Sequence, residues 1–199
     1  MIELSALMIF FFVRDFRNKY RYISSEPPSE IQVKFSRWRN FWETAKKKLT
    51  LLPQRILRQE QAFRKSISIK EERIKIMHSG RLGKRKTRTR FRFFLQTQKT
   101  KHVFMLIGEA LLLPLSGLAA FLPGPNVFFG VLALLMITHW QGLRGINKLL
   151  KKEYDFTPSS LLARWEESLE VKDEQNFLST LNEIEKEYLL VNIHKVLWK

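Results

Sequence analysis

The chain contains no cysteine, which excludes disulfide cross-links, thiolate metal sites and thiol catalysis. Its four histidines are widely separated in the sequence and form neither an HExxH motif nor a zinc-type ligand pattern. A P-loop and a dinucleotide glycine fingerprint are also missing. We therefore expect a protein that is not an enzyme, with no catalytic residues, no metal site and no cofactor.

Acidic residues are scarce in the N-terminal half. Residues 1–102 contain 26 Lys/Arg and 8 Asp/Glu, whereas residues 103–199 contain 9 and 11, and the whole chain has a formal net charge of +16. A basic region of this kind is typical of proteins that bind nucleic acid or an anionic membrane surface. The neighbouring apolar segment favours lipid, since basic residues that flank a membrane helix are attracted to anionic headgroups.

Charge is almost missing between Val103 and Trp140, where Glu109 is the single formally charged side chain in 38 residues. A bilayer crossing needs about 20 apolar residues. Pro123–Asn126 divides the run into two arms, so the pattern predicts a helical hairpin in the membrane. The second arm is short, which leaves a re-entrant wedge as the alternative to two crossings. Both flanks of the hairpin are basic, and both termini are therefore expected on the cytoplasmic side. The expected headgroup contacts are Lys84, Arg85, Lys86, Arg88, Arg90, Arg92, Arg144 and Lys148.

Amphipathic segments precede the hairpin. The apolar run Leu4–Val13 is an interfacial anchor, a short buried helix or an inexact start of the chain. Residues 31–52 have helical periodicity with aromatic residues opposite basic ones, which suits either a membrane interface or a packed core. A further helix is predicted from Pro53 to about Met77. Alternation of Arg with Thr and Phe over residues 87–93 indicates a strand, an extended arm or a solvated charge run.

The segments after the hairpin are more polar. Residues 143–154 are expected to continue the second arm, and Asp155–Ser160 is interpreted as a linker with a helix-capping serine. Residues 161–198 predict one or two acidic helices. The resulting fold class is all-α, a membrane helical hairpin flanked by a basic amphipathic helical N-terminal region and an acidic helical C-terminal tail. The predicted domains are 1–102, 103–143 with its turn at 123–126, and 144–199.

Glu109 is the sharpest candidate for chemistry, because a carboxylate within a membrane suggests a proton or cation site. In an antiparallel hairpin Thr138 and His139 would lie at a similar depth, so a Glu109–His139 pair is geometrically possible. The alternatives are a glutamate near the interface that reaches out to Lys101, His102 or water, and an interfacial histidine beside Trp140. Asn126 most simply caps the second helix. The candidate proton or cation residues are Glu109, Asn126, Thr138 and His139.

The sequence PGPNVFFGVLALLMITHWQGLRG resembles the membrane segment of the mitochondrial K⁺–H⁺ exchange-related proteins. The residues that carry the resemblance are Pro125, Asn126, Phe128, Phe129, Thr138, His139 and Trp140. The resemblance implies a role in membrane potassium and proton homeostasis. No transit peptide is evident, which favours a bacterial relative in the inner membrane, with the mitochondrial inner membrane as the alternative.

Three functional hypotheses follow. The first is an integral multi-pass membrane protein that contributes to K⁺/H⁺ exchange, with an anionic lipid membrane and a second copy or another membrane subunit as partners. The second is a membrane-anchored structural protein that transports nothing. The third, and least favoured, is a membrane-tethered nucleic-acid binder. Two GxxG sequences, at 80–83 and 142–145, match the backbone clamp of KH domains but lack a convincing βααβ context.

Overall fold

The computed structural model describes residues 9–25, 54–71, 73–118, 127–171, 174–190 and 192–198. Four strands form one mixed sheet in the order β2-β1-β3-β4. They are β1 (Phe10–Arg14), β2 (Tyr20–Ser24), β3 (Arg73–His78) and β4 (Glu153–Pro158). β1 pairs antiparallel with β2 and parallel with β3, and β3 pairs parallel with β4.

Six helices surround the sheet in the described part of the chain. They are α1 (Gln54–Lys65), α2 (Lys84–Leu118), α3 (Val127–Leu150), α4 (Ser160–Val171), α5 (Glu174–Tyr188) and α6 (His194–Leu197). The first three pack on one face of the sheet and the last three on the other. The architecture is therefore a three-layer sandwich with the sheet in the middle.

The central strand β1 explains why the sheet is covered on both faces. Phe10 and Phe12 point into the core beneath α1, α2 and α3, whereas Phe11 and Val13 point into the core beneath α4, α5 and α6. All four side chains are at least 99% buried. A strand that is buried on both faces produces a continuous apolar run rather than an alternation.

The all-α fold class is therefore wrong. The run Leu4–Val13 is expected to be an interfacial anchor, a short buried helix or an inexact start of the chain, but its last four residues, Phe10–Val13, belong to strand β1. A short apolar run cannot be assigned to helix or strand from periodicity alone. The predicted helix from Pro53 to about Met77 is also half wrong, since α1 ends at Lys65 and β3 begins at Arg73. The expected linker Asp155–Ser160 largely belongs to β4.

The strand or extended arm predicted over residues 87–93 is helical. Thr87 and Phe91 are the buried residues of this segment, and with Leu95 just after it they have a spacing of four, which places them on one face of α2. The alternation of arginine with threonine and phenylalanine concealed this helical period.

The membrane hairpin is likewise corrected. Its apolar first arm is the C-terminal half of α2, a 35-residue helix whose N-terminal half is basic and packs on the sheet. The second arm runs on as α3 to Leu150, and Ile146 and Leu149 of this helix lie in the core. Among the described residues, no helix combines the length and the apolar character that a membrane crossing requires. The multi-pass prediction has no support there.

The described residues of the C-terminal segment form three helices instead of one or two. Ser159 supplies the expected serine cap, with its Oγ accepting a hydrogen bond from the backbone N–H of Leu162 at 3.3 Å. The predictions for residues 31–52 and for the turn at 123–126 lie outside the described residues.

Candidate functional site

Glu109 of α2 and His139 of α3 form the central contact of the candidate site. Glu109 Oε1 lies 2.6 Å from His139 Nδ1, and the two side chains are only 10% and 16% exposed. With Glu109 ionised, the Nδ1–H group donates to the carboxylate. The other carboxylate oxygen, Oε2, is buried and has no hydrogen-bond partner among the described residues. The pair thus leaves one acceptor open in a largely dehydrated environment.

A second pair lies beside the first. His102 of α2 places its Nε2 atom 2.8 Å from Oε2 of Glu60 in α1. Its Nδ1 atom lies 2.8 Å from the carbonyl oxygen of Gln98. A carbonyl only accepts, so Nδ1 carries a proton, and a charged Glu60 favours a second proton on Nε2.

Several effects act on the pKa of His102. Burial lowers it, but the hydrogen bond and the charge of Glu60, the Gln98 carbonyl and the charge of Glu109 together outweigh burial. The result is that the pKa of His102 is raised above its ordinary value of 6.5. The imidazolium form of His102 therefore persists to higher pH than that of an ordinary histidine.

The two pairs meet through their imidazole rings. The ring centroids of His102 and His139 are 5.7 Å apart, and the ring planes lie at 89°. We call the four residues Glu60, His102, His139 and Glu109 the carboxylate–imidazole chain. It links α1, α2 and α3 in one buried row of titratable groups. In the described residues, no three His, Asp or Glu side chains converge as a metal-ligand set.

Gly142 of α3 makes room for this chain. A Cβ atom at this position would lie 2.7 Å from His102 Nε2 and 2.8 Å from Glu60 Oε2. Such distances are shorter than real Cβ contacts, so any other residue would displace the pair. The GLRG sequence that matches a KH clamp is therefore a helix–helix contact in this structure.

The remaining predicted proton or cation residues do not join the chain. Thr138 Oγ1 donates to the Leu134 carbonyl within its own helix, at 2.8 Å. Asn126 lies outside the described residues. The structure thus brings together two of the four candidates, as the geometry of an antiparallel hairpin predicts.

The predicted headgroup contacts differ in their surroundings. Lys148 Nζ donates to the carbonyl of Ile67 at 2.6 Å and so connects α3 to the end of α1. Arg144 is exposed on α3, and the basic residues from Lys84 to Arg92 are exposed on α2. Lys148 therefore has a structural contact, whereas the others face outward.

Sequence reasoning missed Glu60 and the role of Gly142, and it considered His102 only as one of the groups at the interface that Glu109 would reach. His102 and Glu109 are seven residues apart in one helix, a spacing that places them on the same face, so that signal was present. Nothing local connects Glu60 to them, because the contact depends on how α1 packs against α2 and α3.

One comparison with known proteins identifies a family. The family model described as mitochondrial K⁺–H⁺ exchange-related matches residues 21–152. The matched region contains all but the first residue of β2 and the whole of α1, β3, α2 and α3, and with them all four members of the carboxylate–imidazole chain. It is wider than the hairpin to which the sequence resemblance was limited. No curated protein and no solved structure matches the chain.

Proposed function

The chain belongs to the mitochondrial K⁺–H⁺ exchange-related family, and from this premise we propose that it contributes to K⁺/H⁺ exchange through its carboxylate–imidazole chain. The observation that carries the proposal is the 2.6 Å contact of Glu109 with His139, continued by His102 and Glu60. The family's description points to mitochondrial association, the alternative to the bacterial membrane. We place the proposed role at the mitochondrial inner membrane, which agrees with that description.

The chemistry of the four residues suits proton exchange. Imidazole is the side chain whose unperturbed pKa lies nearest physiological pH, so small changes in its surroundings change its charge. His139 can take a proton on Nε2 while its Nδ1 proton moves to Glu109 Oε1, which leaves the ring neutral and the carboxyl protonated. Such transfer along positioned donors and acceptors needs the short contact that the structure has.

Glu109 Oε2 is the atom at which we propose that the potassium ion binds. A buried carboxylate oxygen without a partner is stabilised either by a proton or by a nearby cation. Competition between H⁺ and K⁺ for one carboxylate is the minimal chemistry that exchange requires. Two helices do not enclose a pathway, so the proposal includes a second copy of the chain or another membrane subunit.

The test is a flux assay with purified protein in potassium-loaded vesicles that contain a pH-sensitive dye. Potassium-driven proton movement is expected with the native chain and is expected to be lost in Glu109→Gln and His139→Gln. Glu167→Gln and His194→Gln are matched controls, since Glu167 is exposed and His194 on α6 pairs with Glu185 rather than with a member of the chain. Both controls should retain native flux.

Glu109→Gln is also suitable because it preserves the shape of the site. The amide oxygen still accepts from His139 Nδ1, so we expect the free energy of unfolding to change by less than about 1.5 kcal/mol. Native flux in a folded Glu109→Gln variant would remove the carboxylate from the mechanism. Lack of flux in the native chain would favour a structural role without transport.

A further inference from the structure

One face of α2 carries large apolar side chains that the protein leaves in solvent. Phe104, Ile107 and Leu111 are 69%, 52% and 71% exposed. Their spacings of three and four residues place them in one stripe along the helix. His102 and Glu109, which face α3 and α1, are buried on the opposite side of the same helix. The stripe therefore points away from the protein.

The same face of α2 becomes basic toward its N-terminus. Phe93, three helical turns before Phe104, is 69% exposed and ends an open groove of 640 Å³. Arg90 in this groove is held by Tyr20, whose hydroxyl accepts from Nη1 at 3.1 Å. The groove is lined by Leu82, Arg85, Lys86, Thr89, Arg90 and Phe93.

The positive charge around this groove is not neutralised locally. Residues 84–101 contain eight Lys/Arg and no Asp or Glu. In the part of the chain that the structure describes, Arg85, Lys86 and Arg88 form no ion pair with a carboxylate. The positive end of the helix dipole adds to their potential. Anions are therefore attracted to the region immediately beside the apolar stripe.

We propose that this outward face of α2, from Arg85 to Leu111, docks on the surface of an anionic phospholipid bilayer. Phosphate headgroups meet the cations of the groove, and Phe93, Phe104 and Leu111 enter the boundary between headgroups and acyl chains of one leaflet. An apolar stripe combined with clustered Lys/Arg is the composition of helices that lie in this layer. The proposal concerns contact with one leaflet and does not depend on exchange activity.

Charge complementarity selects this partner over a second copy of the chain. Two copies that met through this face would bring two uncompensated basic clusters together, in a protein whose formal net charge is +16. Like charges that face each other across an interface oppose association. Anionic lipid supplies both the negative charge and the apolar layer that the two parts of the surface require.

Flotation of the full-length protein with lipid vesicles tests the proposal. One set of vesicles contains phosphatidylcholine alone. In the second set, a fraction of the phosphatidylcholine is replaced by phosphatidylglycerol. We expect binding to the anionic vesicles, weaker binding to the neutral ones, and a decline with added salt because salt screens surface charge. A fluorophore on Leu111→Cys should shift to the blue on binding, whereas one on Leu178→Cys on the opposite side of the protein should not. The native lack of cysteine makes both labels specific.

Two pairs of variants separate the two parts of the surface. Arg85→Gln with Lys86→Gln should weaken anionic binding roughly twenty-five-fold, since each cation near a membrane surface contributes about fivefold. Phe104→Gln with Leu111→Gln should weaken it roughly tenfold or more through lost apolar burial. Lys186→Gln with Lys195→Gln changes the net charge equally, and Val171→Gln with Leu178→Gln replaces exposed apolar residues elsewhere. These two controls should bind like the native chain.

Several outcomes would overturn the proposal. They are equal binding to neutral and anionic vesicles, no binding to either, and losses in the control variants as large as those in the α2 variants. Self-association that Phe104→Gln with Leu111→Gln abolishes, without lipid binding, would identify a second copy as the occupant. Salt-sensitive binding of RNA in preference to anionic vesicles would identify a nucleic-acid surface instead.

Discussion

Gly145 of α3 lies directly against the backbone of Phe63 in α1. A Cβ atom on Gly145 would be 1.8 Å from the Phe63 carbonyl oxygen and 2.5 Å from its carbonyl carbon. Backbone atoms cannot rotate away as a side chain can, so the two helices require glycine at this crossing. Because Gly142 lies one helical turn earlier and makes room for His102 and Glu60, the same crossing positions the carboxylate–imidazole chain.

Gly145→Ala is therefore expected to destabilise the protein by at least about 3 kcal/mol, the upper range for overpacking, since α1 and α3 must separate. Urea unfolding followed by circular dichroism measures the change. Gly108→Ala is the matched control within α2, because a Cβ there meets no atom within 4 Å. It should stabilise the helix by about 0.5–1 kcal/mol. Equal effects of the two substitutions would contradict the proposed backbone contact.

The raised pKa of His102 predicts a pH-dependent contribution to stability. The folded state binds this proton more tightly than the unfolded state, so the contribution is fully present below the unfolded pKa of 6.5. It is lost as the pH rises through the raised pKa of the folded state. The difference in unfolding free energy between the native chain and His102→Gln should therefore be larger at about pH 5 than at about pH 8.5.

His78 provides an internal contrast to this experiment. Burial lowers its pKa despite the charge of Glu166, and Lys84 lowers it further. The contribution of His78 to the stability of the folded state is present above the unfolded pKa of 6.5 and is lost as the pH falls through the lowered pKa of the folded state. This pH dependence is opposite in sign to that of His102. His78→Gln should accordingly reduce the loss of stability in acid. If His102→Gln and His78→Gln changed the pH profile in the same direction, the assignment would be wrong.

Glu166 holds the ends of β1 and β3 against α4 and is 2% exposed. It accepts hydrogen bonds from the Arg14 backbone N–H at 3.2 Å, the Arg14 guanidinium at 3.3 Å and Ser79 Oγ at 2.8 Å. Glu166→Ala removes the acceptor of the Arg14 backbone N–H and of the Ser79 hydroxyl, whereas the Arg14 guanidinium keeps its contact with Glu170. The substitution should therefore cost about 2 kcal/mol or more in thermal or urea unfolding. Glu153→Ala breaks an exposed pair with Arg73 and should cost less than about 1 kcal/mol.

Asp15 fixes the turn between β1 and β2. Its Oδ1 atom accepts from the backbone N–H groups of Arg17 and Lys19 at 3.0 and 2.9 Å, and Oδ2 binds Arg21 Nε at 2.8 Å. The side chain is fully buried. Asp15→Ala should therefore destabilise the protein by about 3 kcal/mol, as for other buried ion pairs that lose one partner. Asp155→Ala, at an exposed position in β4, is the control and should leave stability nearly unchanged.

The sequence allowed prediction of features that depend on neighbours along one helix or across one turn. The Glu109–His139 pair follows from the depth of each residue in two antiparallel helices, and the serine cap follows from its position before α4. The family was also identified from residues of the second arm alone. These predictions need no knowledge of how distant segments pack.

The errors concern contacts between distant segments. Strand β1 owes its conformation to pairing with β3, more than fifty residues later, and its apolar run has no period that distinguishes strand from helix. The apolar residues of α2 and α3 gave a strong membrane signal, but hydropathy does not reveal that the same helices extend into a sheet-packed core. Glu60 was unpredictable for the same reason.

The position of β1 in the sheet also has a consequence for the nascent chain on the ribosome. Its hairpin with β2 is complete once residue 24 has been made, whereas β4, which closes the parallel part of the sheet, ends at residue 158. At typical rates of synthesis this interval lasts on the order of ten seconds. Throughout that time Phe11 lacks the helical layer of α4, α5 and α6, which begins only at Ser160, so this short hairpin is the natural target for a chaperone that shields newly made protein.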